Sequence, residues 1–195
     1  MTEMDVTEFL RLYEADGAFE VIDGERIPVK PLDETCAKVL RTLYEALNTF
    51  LTATPIGAVF LRTPYALRAY PTEMIDRVRV PDLMFYQEAR LQSAREMKEL
   101  NEAFPFIIPP DWTAILVSAQ DSYSSVEAKI DLYFGDGVIR ALWIIDFPRK
   151  VVTIMDRNVR KRFSLGSIVP GGIRGYTPGG AVIPGFQIPV QALFE

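Results

Sequence analysis

The clearest pattern along the chain runs from Asp33 to Leu51. Cys36, Val39, Leu40, Leu43, Leu47 and Phe50 recur at helical spacing, and Asp33 is placed to cap the start. A shorter helix is predicted over Thr7 to Glu14, with Phe9, Leu10 and Tyr13 on one side. Between them, "AFEVIDGERIPV" reads as a hairpin, because Asp23-Gly24 separates two β-prone runs. After the long helix come short strands near 58–62 and 65–69, a connecting turn at Thr72 to Asp76, and an alternating strand near 77–86, "RVRVPDLMFY". A charged helix with a thin apolar stripe follows over 88–103.

Thr113 to Val117 is a continuous apolar run, as expected of a buried central strand. A helix from about Ser125 to Phe134 follows and ends at Gly135-Asp136-Gly137. "VIRALWIID" and "KVVTIMD" read as a second hairpin, and "VRKRFSLG" as an added edge strand. "PGGIRGYTPGG" is a Gly/Pro loop, and "IPGFQIPVQALF" closes the chain. Helices alternating with antiparallel-capable strands predict a mixed α/β fold, a mixed sheet flanked by helices with an N-terminal hairpin. No linker is long enough to split the chain, so one domain over residues 1–195 is expected.

Composition narrows the chemistry. There is no histidine, which removes imidazole as a general base, nucleophile partner or zinc ligand. The single cysteine, Cys36, allows no internal disulfide and reads as a small buried hydrophobe on the long helix. A net charge of −5 argues against a protein that coats nucleic acid non-specifically. No signal peptide or membrane-length apolar run is visible, so a cytoplasmic location is expected. Any catalysis must use carboxylates, lysines, hydroxyls or a bound metal.

Two stretches suggest such chemistry. Pro81-Asp82 places a carboxylate among apolar neighbours, which needs a cation or a lysine to offset its desolvation. "SSVEAKID" then offers Glu127-Ala128-Lys129, and Asp82 with this triplet spells the parts of a Mg²⁺-dependent nuclease. The local pattern objects. Ser124 and Glu127 have the spacing of a capping box, so Glu127 is expected to bond back to the helix start. Residues two apart on a helix point about 200° apart, so Glu127 and Lys129 cannot share one metal. Lys129 sits at the edge of the apolar face formed by Val126, Ile130, Tyr133 and Phe134. A cluster at Arg157, Arg160, Lys161 and Arg162 could contact phosphates, or be a charged exposed turn. The Gly/Pro loop lacks the lysine and spacing of a phosphate-binding loop.

"FEVIDGERI", "VRVPDLMFY", the apolar strand with its polar break, "AKIDLYFGDGVIRALWIID" and "IPGFQIPVQALF" occur in an order that resembles the Uma-type putative restriction endonuclease family. The resemblance covers about residues 7–194 and implies a restriction-endonuclease-like PD-(D/E)xK fold. It implies a Mg²⁺-dependent endonuclease acting on DNA, with Asp82 and Glu20 as metal ligands and Lys129 as the residue that positions water. The family's central-strand glutamate, a metal ligand in the pattern, falls on Ile115 in this chain. Isoleucine cannot bind a cation. Asp121 lies beyond it and could substitute only if the chain folds back, because an extended strand covers about 20 Å over that distance. The expected function is therefore a nuclease with weakened or lost activity. The alternative is a non-catalytic nuclease fold kept as a binding or regulatory protein, as a homodimer.

Overall fold

The computed structural model describes residues 4–68, 74–96, 106–135, 139–156, 158–171 and 182–195. Helix α1 (Val6–Asp16) begins at Asp5, whose side chain accepts the Glu8 N–H at 2.8 Å. Strands β1 (Phe19–Ile22) and β2 (Glu25–Pro28) form the predicted hairpin. Asp23 and Gly24 both take positive φ, 52° and 79°, as a tight two-residue turn requires. Helix α2 (Glu34–Ala53) is capped by Asp33, which accepts the Cys36 N–H at 2.7 Å. Its apolar stripe, Cys36, Val39, Leu40, Leu43, Leu47 and Leu51, is buried. Burial pushes the Cys36 thiol up to about 12, helped by Asp33, so it is an inert packing group.

Next come β3 (Gly57–Leu61), β4 (Tyr65–Arg68), β5 (Ile75–Arg79), β6 (Leu83–Gln87) and α3 (Glu88–Glu96). Gly57 is required by close approach, since a Cβ there would lie 2.1 Å from the Tyr86 carbonyl. The 77–86 run was expected as one strand, and here the structure corrects the reading. It breaks at Val80-Pro81-Asp82, and its halves belong to different sheets. Proline has no N–H to continue the ladder. The predicted helix over 88–103 is seen as far as Glu96, and its remainder lies outside the described residues.

Central strand β7 (Trp112–Val117) leads through α4 (Tyr123–Gly135) to β8 (Ala141–Asp146), which pairs with β7 in parallel. Asp136 and Gly137, expected to end that helix, lie outside the described residues. β9 (Val151–Met155) and β10 (Arg160–Phe163) follow antiparallel, with β10 at the predicted edge. β11 (Ile168–Pro170) pairs with β12 (Gln187–Pro189), and α5 (Val190–Phe194) ends the chain. Most of the Gly/Pro loop, 172–181, lies outside the described residues.

The expected single mixed sheet is thus a six-stranded mixed sheet, ordered β10-β9-β8-β7-β6-β3, beside a four-stranded antiparallel sheet, β2-β1-β5-β4. Alternation along the larger sheet sorts its side chains. Leu83, Phe85, Trp112, Ala114, Leu116, Trp143 and Ile145 pack with α2 and α5 on one face. Met84, Tyr86, Ile115, Val117, Leu142 and Ile144 pack with α3 and α4 on the other. The smaller sheet buries Phe19, Val21, Ala66, Ile75 and Val78 against Met4 and Phe9. Among the described residues, no helix is long and apolar enough to cross a membrane.

Candidate active site

Besides the passage through α2, the chain crosses between the two sheets by short connections at residues 62–64, between β3 and β4, and at 80–82, between β5 and β6. The two crossovers meet where the Arg62 N–H donates to the Asp82 carbonyl at 3.0 Å. Asp82 therefore stands at a seam. The β6–β7 ladder pairs Leu83 with Ala114, so its continuation sets Asp82 opposite Ile115. The Asp82 Oδ2 accepts the Leu116 N–H at 2.8 Å, taking up a donor of β7 two residues beyond Ala114, the last residue paired with β6.

Glu20 reaches the same seam from β1. Its Oε1 accepts the Val80 N–H at 2.9 Å, two residues before Asp82. Each carboxylate thus commits one oxygen to a backbone N–H. Burial raises the proton affinity of both. For Glu20, the Val80 bond and the charges of Lys129 and Arg79 oppose that rise, and Asp82 adds to it. For Asp82, the Leu116 bond, Lys129 and Arg62 oppose it, and Asp121 adds to it.

Lys129 projects from α4, and both carboxylates feel its charge. Among the described contacts it makes no direct ion pair with either, so its amine is close enough to act through space without being neutralised there. Lys129 itself is exposed, while Ile130 beside it is buried against the sheet.

Glu127 is elsewhere, and the expected capping role is corrected. The helix starts two residues earlier than the sequence suggests. Ser122 provides the cap, its Oγ accepting the Ser125 N–H at 3.1 Å, while the Ser125 Oγ donates to the Ser122 carbonyl at 2.8 Å. Glu127 Oε1 instead pairs with Arg160 of β10 at 3.3 Å. The E-x-K spelling is coincidental, since the two side chains serve opposite flanks of α4.

Ile115 is 3% exposed and packs with Met84, Tyr86, Val117, Ile130 and Tyr133. The position across from Asp82 is thus core. Asp121 does fold back, through the Asp121 N–H to Ser118 carbonyl contact of 3.3 Å. Its Oδ2, however, accepts both the Ser118 N–H and the Ser118 hydroxyl at 2.8 Å. It acts on Asp82 as a neighbouring charge and closes the loop after β7.

The β10 cations divide by face. Lys161 lies over the Phe163 ring at 5.2 Å, on the side packed with α2. Arg160 and Arg162 alternate onto the α4 side. Arg157 lies outside the described residues.

Sequence reading missed Arg79, Tyr133 and Arg62. Arg79 is 3% exposed, and its guanidinium donates to the Val21 carbonyl at 2.6 Å, beneath Glu20. No alternation predicts a buried arginine there. Tyr133 is buried, and its phenol is held well above the usual range by burial and the charges of Glu20 and Asp82. Its spacing of four from Lys129, one helical turn on the same face, was the available signal.

A divalent ion would meet a restricted donor set. Among the described residues, no group of three acidic, histidine or cysteine side chains is arranged for a metal. Glu20 and Asp82 supply two carboxylates, each with an oxygen besides the one bound to a backbone N–H. Mg²⁺ is held elsewhere by one or two carboxylates completed by water and phosphate oxygens. Two carboxylates would be enough for that sparse coordination, and they do not make a three-carboxylate cage.

Among curated proteins nothing matches the chain. One solved structure that it resembles is described as a putative nuclease belonging to DUF820 from Anabaena variabilis ATCC 29413. It is 20% identical, with a TM-score of 0.70, and the match covers 98% of this chain and 97% of that one. The likeness shows a shared fold. The sequence profile of Uma2, putative restriction endonuclease, matches residues 6–190. With nearly the whole length matched, the chain belongs to the Uma2 putative restriction endonuclease family.

Proposed function

We propose that this protein is a nuclease of the PD-(D/E)xK type, dependent on a divalent metal and acting on DNA, whose cleavage is weak. The observation that carries the reading is the seam itself. Glu20 on β1 of the smaller sheet bonds the Val80 N–H, two residues before Asp82, and Asp82 at the entry to β6 of the larger sheet bonds Leu116, and both carboxylates feel Lys129. Family membership supports the reaction class. Asp82 and Glu20 would hold the ion, which when bound would polarise a phosphoryl oxygen and acidify water. Lys129, not neutralised by either carboxylate, would orient the attacking water. Arg160 and Arg162, on the α4 side, would meet the phosphate backbone. Weakness follows from Ile115, which places hydrocarbon where a further oxygen ligand would complete the set.

The same isoleucine favours a second reading, a nuclease fold kept for binding or regulation as a homodimer. Plasmid cleavage in Mg²⁺ or Mn²⁺ decides between them. Slow nicking that disappears in Asp82→Ala supports the weak enzyme. Rapid cutting overturns the weakness. No cutting above the Asp82→Ala background moves the protein to the binding class, where sizing in solution would test the dimer.

A further inference from the structure

Three described residues other than glycine have left-handed backbones: Asp23 at φ 52°, Arg62 at φ 43° and Lys150 at φ 49°. Asp23 and Lys150 lie in hairpin loops, whose geometry accounts for them. Arg62 lies on the crossover from β3 to β4, where the chain passes from one sheet to the other. A Cβ-bearing residue is disfavoured in this conformation, and glycine would be free of the penalty. An arginine held there needs a reason beyond chain geometry.

Its surroundings point to one. The β3–β6 ladder pairs Leu61 with Leu83, so Arg62 is the next position and falls opposite Asp82. Its N–H holds the Asp82 carbonyl at 3.0 Å. Asp82 thus has Arg62 on one side and Ile115 on the other. The guanidinium donates from one nitrogen to the Lys30 carbonyl at 2.8 Å, a contact to the segment following the β1–β2 hairpin. A guanidinium carries five N–H donors, so this anchor fixes its position while leaving donors for an anion. Arg62 is half-buried, and its charge reaches Asp82 without a direct ion pair. A fixed, half-buried arginine beside the Asp82 carboxylate suits bidentate binding of a phosphodiester.

We infer that Arg62 is a phosphate-binding residue that grips the DNA backbone beside Asp82, the left-handed crossover being kept to aim its guanidinium. This rests on the nuclease reading above. The test is DNA affinity, measured by fluorescence anisotropy of a short labelled duplex in Ca²⁺ over a range of salt. Arg62→Gly removes the cation and relieves the backbone, so its thermal midpoint should equal or exceed that of the wild type. It should bind roughly tenfold more weakly, with a salt slope smaller by about one. Arg62→Lys should keep the wild-type salt slope while binding at an intermediate affinity, because it retains charge and loses the fork. Equal affinity and slope in wild type and Arg62→Gly would overturn the role of Arg62 and leave the nuclease reading standing. Loss of both affinity and thermal midpoint in Arg62→Gly, unrescued by Arg62→Lys, would also overturn it, as a structural role. A wild-type protein that fails to bind the duplex at any salt would overturn both.

Discussion

Asp82 and Ile115 face each other across the continuation of the β6–β7 ladder, a carboxylate opposite a core side chain. The pair sets how far the site departs from a full metal centre. Ile115→Glu would add a third carboxylate to the pair of Asp82 and Glu20 in a buried setting, where an unpaired charge is costly. The metal-free variant should lose roughly 2–4 kcal/mol of stability. Mn²⁺ should return much of the lost thermal midpoint, because an ion that binds only the folded state stabilises it by mass action. Calorimetric titration should show tighter Mn²⁺ binding than in the wild type. A variant that stays destabilised in saturating Mn²⁺ would show that the face has been repacked as core.

The buried carboxylates also make a stability prediction. Folding raises the proton affinity of Glu20 chiefly through burial, so its ionised form is disfavoured in the native state. For a carboxyl with a raised folded pKa, the favourable contribution is complete below the unfolded pKa. It is lost as pH rises through the folded value. Glu20→Gln, which keeps an oxygen for the Val80 N–H, should therefore be more stable than the wild type at pH 7, by about 2 °C or more in thermal midpoint. That advantage should shrink as pH falls toward the ordinary carboxylate range. A constant difference across pH would remove desolvation as its cause. Stabilisation on removing a buried ionisable group is what a functional constraint predicts.

Most elements could be read from the sequence because each has a local cause. Asp33 caps α2, Asp23-Gly24 turns the hairpin, and the continuous apolar run of β7 is covered on both faces. The break at Pro81 was harder. The alternation of Arg77 to Val80 stops at Pro81-Asp82, a local sign of a break, but only the tertiary fold assigns the two halves to different sheets. The start of α4 was misplaced because Ser122, Ser124 and Ser125 are all competent caps, and the sequence favours the one with a glutamate three residues on. Glu127 has a stronger partner in Arg160, distant in sequence and brought near by β10. Glu20, Asp82 and Lys129 were put forward through family resemblance, and the structure sets the two carboxylates within reach of the Lys129 charge, whereas the placement of Arg62 and Arg79 depends on inter-sheet contacts that leave no periodic trace.

Elsewhere, a charge cluster fastens the start of β7 and has a structural consequence. Asp111 is fully buried, with Oδ2 accepting the Gln87 N–H at 2.9 Å and Oδ1 facing Arg90 at 3.2 Å and Arg140 at 3.6 Å. Those partners come from the end of β6, from α3 and from the approach to β8. Removing the carboxylate leaves a part-buried N–H and two arginines without their anion. Asp111→Ala should cost about 3 kcal/mol, read by urea denaturation at an unchanged m-value. Arg140→Ala should cost less, because that side chain is half exposed and its contact is longer.

The last prediction concerns β10, where alternation separates three adjacent cations. Lys161 is laid over Phe163 on the α2 side, while Arg160 and Arg162 share the α4 side with Lys129. If DNA approaches the α4 side, Arg162→Glu should weaken duplex binding by about tenfold at low salt, and Lys161→Glu by much less. Net charge changes equally in the two variants, so long-range attraction alone predicts equal losses. Glu127→Gln supplies the opposite arm. It frees Arg160 from its carboxylate and removes one negative charge, so binding should tighten and the salt dependence steepen. Stability should change by under about 1 kcal/mol, since the Glu127–Arg160 pair is partly exposed. Anisotropy titrations of the three variants against one duplex check all of this. Equal losses in Arg162→Glu and Lys161→Glu would show that β10 contributes charge without a defined DNA-facing side.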